Sequence, residues 1–177
     1  MRFYYDTEFH ERGPEYPIDF ISIGIASESG DTYYAVHEDF DFMAAMNNDW
    51  LRRNVMGFLP LTEDMRFLNL SHEDVKPRWR IRDEIQEFIL SAANGQNIEL
   101  WADYADYDHI VLCQIFGKMI DLPKGFPMRT DDIRQEIERL GIPESELPKQ
   151  NPSFQHHALQ DAIYDRRLHK YVRSYNQ

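Results

Sequence analysis

The chain has 177 residues, 42% apolar and 14% aromatic, enough for one domain with a sizeable core and too hydrophobic for a disordered type. Its net charge of −12 argues against broad, non-specific nucleic-acid binding, so a polyanionic partner would need a local basic track and a cation-lined entrance. The lone cysteine, Cys113, excludes an internal disulfide, no cysteine–histidine set is spaced for structural zinc, and no apolar run approaches the ~20 residues of a membrane span.

The first predicted element is a strand, Arg2-Phe3-Tyr4-Tyr5-Asp6-Thr7-Glu8-Phe9. No basic-then-apolar leader precedes it, which together with the free thiol gives the expectation of a cytoplasmic protein. On a strand, residues i and i+2 share a face about 6–7 Å apart, so Asp6 and Glu8 project together while Thr7 points the other way. Two like charges held that close raise each other's pKa unless a cation lies between them, and a hard divalent metal resolves the conflict. The bland alternative is a polar strand end running into a loop.

Breakers follow at Gly13-Pro14, then a second strand over 18–26, a turn at Glu28-Ser29-Gly30-Asp31 and a third strand over 32–36. In the second strand Ile21, Ile23 and Ile25 alternate with Ser22 and Gly24, which predicts packing on one face, and Gly24 predicts close approach of another backbone. Residues 41–57 read as one helix and 59–79 as a long irregular connection. Arg78, Arg80 and Arg82 are read as the solvated start of the next helix, with a phosphate track as the sharper alternative. That helix carries Ile81, Ile85, Phe88 and Ile89 on one face and stops at Asn94-Gly95. The short apolar strand 98–102, reached through a helix, is expected to lie parallel to the first strand at the sheet centre. A helix over 110–119, a brief last strand at 128–130, a helix over 133–140 capped by Thr130 or Asp131, a surface loop over 143–155 and a final helix over 158–175 complete the chain. Asp165, Arg166 and Arg167 are expected to face solvent from that last helix. The sum is an α/β domain spanning 1–177, its mixed central sheet of about five strands flanked by helices and beginning with three antiparallel strands.

Further carboxylates follow the logic of Asp6 and Glu8. Asp103, Asp106 and Asp108 all lie at the carboxyl end of the central strand, where open α/β sheets place their sites, and residue pattern alone does not separate them. Asp161 falls in the first turn of the last helix, favoured there by the helix dipole. His156 and His157 both stand close before it; a histidine beside a carboxylate is also an ordinary surface pair.

Taken together, Asp6-Thr7-Glu8, Tyr107-Asp108 with Leu112, and His156-x-Ala158-x-x-Asp161 resemble, in order and over nearly the whole chain, the histidine-bearing (DEDDh) branch of the DEDD 3′→5′ exonuclease superfamily. Ile21-Ser22-Ile23-Gly24, Trp50-Leu51-Arg52-Arg53-Asn54-Val55 and Leu100-Trp101-Ala102 are similar to its ribonuclease T-like group, which includes mycobacterial polyadenylate-specific exoribonucleases. The resemblance selects Asp108 among the three aspartates, and Ala158 fixes the register on His156. Where the family commonly has an asparagine, four residues before Asp108, this chain has Tyr104. The resemblance implies a ribonuclease H-like fold, a homodimer, Mg²⁺ as cofactor with Mn²⁺ able to substitute, and single-stranded RNA 3′ ends as partner, with adenylate preference.

In the reaction so implied, two ions about 3.5–4 Å apart bridge the scissile phosphate. Asp6 contacts both, Glu8 and Asp161 hold one and Asp108 the other, while His156 takes the proton from the attacking water. The Thr7 backbone positions the terminal nucleotide and Phe9 stacks on its base, Phe9 being equally suited to the core. Competing readings are a 3′→5′ exodeoxyribonuclease, a non-catalytic nucleic-acid-binding module and a glycosidase with paired carboxylates.

Overall fold

A computed structural model describes residues 1–175. Its centre is β1 (Arg2–His10), paired antiparallel with β2 (Asp19–Ser27) and parallel with β5 (Glu99–Ala102). Beyond β2 lie β3 (Thr32–His37) and β4 (Val75–Lys76), and beyond β5 lies β6 (Asp131–Asp132), in the order β4-β3-β2-β1-β5-β6. The parallel central strand is therefore where the sequence placed it.

The sheet has six strands rather than five. The unexpected one, β4, lies inside the segment read as irregular. It is two residues long and is secured by Val36 N–H donating to the Asp74 carbonyl at 2.8 Å and Glu38 N–H to that of Lys76 at 3.0 Å. So short a strand leaves no period-2 pattern to read. The last strand sits at Asp131–Asp132 rather than 128–130, and Asp132 caps the helix α5 (Ile133–Leu140) through a bond from the Gln135 N–H. The helix expected over 41–57 is broken into α1 (Phe42–Asn47) and α2 (Asp49–Asn54). Asn48 is extended between them, its side chain accepting from the N–H groups of Trp50 and Leu51, a cap that starts the second helix in a new direction.

The alternation in β1 assigns two faces. Phe3 and Tyr5 join Ile81, Ile85 and Ile89 of α3 (Arg78–Ala93) and Val111, Leu112 and Ile115 of α4 (Asp106–Phe116) in one core. Tyr4 packs on the other face with Ile133 and Ile137 of α5 and Leu168 and Val172 of α6 (Ala158–Ser174). Asp6 and Glu8 share the Tyr4 face, so they look toward α6 while Thr7 looks toward α4. β2 is buried on both faces, Ser22 included, and not on one as its alternation suggested. Arg80 and Arg82 of α3 are exposed and pair with Glu84 and Asp83, the behaviour of a solvated helix start.

Gly24 meets the expectation set for it. It lies opposite Asp6 in the β1–β2 ladder, and a Cβ there would come within 2.2 Å of the Leu159 nitrogen and 2.3 Å of the Ala158 carbonyl carbon. The absence of a side chain lets α6 start directly against the sheet, next to Asp6. No helix among the described residues is long and apolar enough to cross a membrane.

Candidate active site

Three elements bring the acidic residues together at the carboxyl ends of β1 and β5. β1 supplies Asp6 and Glu8, the first turn of α4 supplies Asp108, and the first turn of α6 supplies Asp161. With His156 they line a cleft of about 420 Å³ that also includes Thr7, Phe9, Trp50, Asp103, Tyr104 and Tyr107. Glu8 is 7% exposed and Asp108 likewise 7%, yet among the described residues none of the four carboxylates is ion-paired to a lysine or arginine.

That deficit shows in their acidities. Burial, then the charges of Asp108, Glu8, Asp161 and Asp165, push Asp6 well above the usual carboxylate range. Burial and the charges of Asp161 and Asp108 do the same to Glu8. Burial raises Asp161 too, opposed by hydrogen bonds from Gln150 and from the His156 backbone. Asp108 rises only to about 6, because Thr7 donates to its Oδ1 from both N–H (2.8 Å) and Oγ1 (2.6 Å).

The structure separates the three aspartates that residue pattern left open. Asp103 is taken by Arg134, which grips it in a bidentate pair at 2.8 and 3.1 Å. Asp106 is exposed at the start of α4. Asp108 is buried and turned to β1. Because α4 begins at Asp106 rather than Ile110, Asp108 is a helical residue locked to the strand. Thr7 thus has both its donors committed to Asp108.

The two histidines also part company. His157 stands at the N-terminal end of α6, its ring against Tyr34 at 4.7 Å and Phe58 at 5.7 Å, and burial lowers its pKa. His156 faces the cleft instead, in a left-handed conformation (φ +66°) that brings its N–H to Asp161 Oδ2 at 2.8 Å. Its ring meets the edge of Trp50 at 4.7 Å. Tyr104, with φ +56°, also lines this cleft, and such strain in non-glycine residues persists only where the surroundings enforce it. Gln150 secures the other Asp161 oxygen, Oδ1. Glu8, His156 and Asp161 can each offer one ligand atom, all within 4.8 Å of one another, a grouping suited to a metal ion.

Several participants were missed in the sequence. Asp165, expected in solvent, is 4% exposed and accepts from the Asp103 N–H at 3.2 Å. It stands four residues after Asp161, and i,i+4 spacing on a helix that buries Ala158 and Ala162 was the available signal. Phe9 stacks on Tyr107, the ring planes nearly parallel (7°) with centroids 5.6 Å apart. Trp50 and Tyr104 are exposed at the same rim, and Arg134 lies over the Tyr104 ring at 5.0 Å. Aromatic residues set apart in sequence give no sign that they will share one rim. A register slip in the β1–β2 ladder falls between Glu8 and Phe9, placing an irregularity at the mouth of the site.

Comparison with known proteins agrees in kind with this geometry. A family model described as a 3′-5′ exoribonuclease Rv2179c-like domain matches residues 1–173. Two Mycobacterium tuberculosis proteins, named 3′-5′ exoribonuclease Rv2179c (strain H37Rv) and 3′-5′ exoribonuclease MT2234.1 (strain CDC 1551), are each 39% identical over 162 residues, which is 92% of this chain and 87% of theirs.

Proposed function

The chain belongs to the Rv2179c-like 3′-5′ exoribonuclease family, and from that premise we propose that it removes nucleoside 5′-monophosphates one at a time from the 3′ ends of single-stranded RNA. We assign it to the DEDDh branch, as a single ribonuclease H-like exonuclease domain acting in the cytoplasm as a homodimer, with adenylate ends preferred. The observation that carries the reading is the convergence of Asp6, Glu8, Asp108 and Asp161 on one cleft beside His156 with no lysine or arginine to neutralise them among the described residues.

The donor set fits divalent cations: all the acidic ligands are oxygen donors, which suits Mg²⁺ or Mn²⁺. Asp6, Glu8, Asp108 and Asp161 would hold them. When bound, such cations polarise the phosphodiester and stabilise the charge developing on its attacking and leaving oxygens.

The chain's own residues do the rest. Thr7, through N–H and Oγ1, fixes the Asp108 carboxylate and leaves its Oδ2 for the cleft. Gln150 and the His156 N–H orient Asp161 in the same way. His156 is the general base, its ring held at the mouth by Trp50 and set to take a proton from a water attacking the phosphorus. The Phe9–Tyr107 stack offers a face for the terminal base, and the β1 end beside Thr7 seats its sugar.

The test is a time course on 5′-labelled oligoadenylate with and without EDTA. A ladder descending in single-nucleotide steps from the 3′ end, abolished by EDTA, is the expected result. Internal cuts would point to an endonuclease, and binding without turnover to a non-catalytic module. Equal rates on the matching DNA would remove the ribose preference.

A further inference from the structure

A second concavity, of about 310 Å³, adjoins the catalytic cleft on the outer side of α6 and is lined in part by Phe154, Ile163, Arg166 and Arg167. Gln150 and Tyr164 line it too, and both also border the approach to Asp6, His156 and Asp161. The two spaces therefore share a wall.

Its chemistry is the opposite of the cleft's. Most arginines here are tied to carboxylates, including Arg2, Arg12, Arg80 and Arg134. Arg166 donates instead to the Ser27 carbonyl at 3.1 Å, and among the described residues neither Arg166 nor Arg167 makes an ion pair. In a chain of net charge −12, two such guanidinium groups beside an acidic cleft are a local exception. Phe154, 49% exposed, and Ile163 add an apolar surface next to them. Guanidinium groups with an exposed aromatic ring match a phosphate linked to a base.

We propose that this groove is a second nucleotide subsite, holding the substrate strand just upstream of the bond that is cut. The inference rests on the exonuclease reading. The carboxylates lie between the Phe9–Tyr107–Trp50 rim on one side and the Gln150–Tyr164 corridor on the other. With the terminal nucleotide on the aromatic rim, the strand leaves by the corridor and lays its next phosphates along Arg166 and Arg167 and a base on Phe154. The groove thereby supplies the local basic track that so acidic a protein needs to hold a polyanion.

The experiment compares the double variant Phe154→Ala/Arg167→Gln with wild type on a dinucleotide, pApA, and on an oligoadenylate of about ten nucleotides. Both positions are exposed, so the fold tolerates the changes. The ratio of kcat/KM for the long over the short substrate is expected to fall about tenfold, through KM, with a shallower salt dependence on the long substrate. An unchanged ratio in an active enzyme overturns the subsite while leaving the exonuclease reading intact. A wild-type enzyme that cuts neither substrate overturns both.

Discussion

Asp6→Asn is expected to abolish turnover and, at the same time, to stabilise the cation-free protein. Asp6 is the carboxylate surrounded by the charges of Asp108, Glu8, Asp161 and Asp165. Removing its charge would delete one of the proposed cation ligands, for an expected loss in kcat of about 10³-fold or more, roughly 4 kcal/mol. The stability effect has the opposite sign. Asp6, Glu8 and Asp161 carry raised folded-state pKa values, so the native state binds more protons than the unfolded chain. Their contribution is fully present below the ordinary carboxylate range and is lost as pH rises through the folded values. Buried histidines act the other way: His169 is lowered to about 4 by burial and by the charges of Arg173 and Arg2, so its part grows as pH rises from 4 to 6.5 and is then complete. The carboxylates give the opposite slope, and the cation-free wild type should lose stability as pH rises through their raised folded values. Asp6→Asn should flatten that slope and raise the melting temperature most at its alkaline end, by about 2–4 °C per kcal/mol in a chain of this size. A variant no more stable than wild type, or one retaining full activity, would contradict this.

Gly24→Ala should damage both fold and site, although it lies outside the catalytic set. The added methyl would sit 2.2 Å from the Leu159 nitrogen and 2.3 Å from the Ala158 carbonyl carbon, which are backbone atoms with no rotamer to yield. The start of α6 must move, and Asp161 and the His156 N–H that holds it move with it. Overpacking of this kind costs about 3 kcal/mol, or about 6–12 °C in melting temperature. A displacement of the order of 1 Å at Asp161 should lower kcat/KM by about 10²-fold. Thermal unfolding and steady-state kinetics on the purified variant measure both; a melting temperature within about 1 °C of wild type would show that α6 does not need the closeness seen here.

What was legible in the sequence follows from what a local pattern encodes. Asp6-Thr7-Glu8 alternates, so its two faces could be assigned, and the structure puts Thr7 on Asp108 and the acids toward α6. Gly24 announced a close backbone, and the helix before residues 98–102 announced a parallel strand. The misses are places where tertiary contacts decide. β4 exists through backbone bonds to the β3 edge, and the break at Asn48 through a side chain that caps the following helix. Asp165 looked like part of a polar solvent face because Arg166 and Arg167 follow it, yet it points inward at a turn's spacing from Asp161. Asp103 competed with Asp108 until Arg134, 31 residues further on, claimed it. The aromatic rim of Phe9, Trp50, Tyr104 and Tyr107 draws on separate parts of the chain and exists only once the fold has formed.

The most direct test is a count of the cations the cleft holds, made by calorimetric titration of Mn²⁺ into the wild type and into Asp6→Asn at one pH, with melting temperatures recorded alongside. Two bound ions in the wild type, a melting temperature that climbs with their concentration, and loss of both responses in the variant are predicted. Tight binding that survives Asp6→Asn, or no binding by an enzyme that still trims RNA from its 3′ end, would contradict a cation-held catalytic centre at Asp6, Glu8, Asp108 and Asp161.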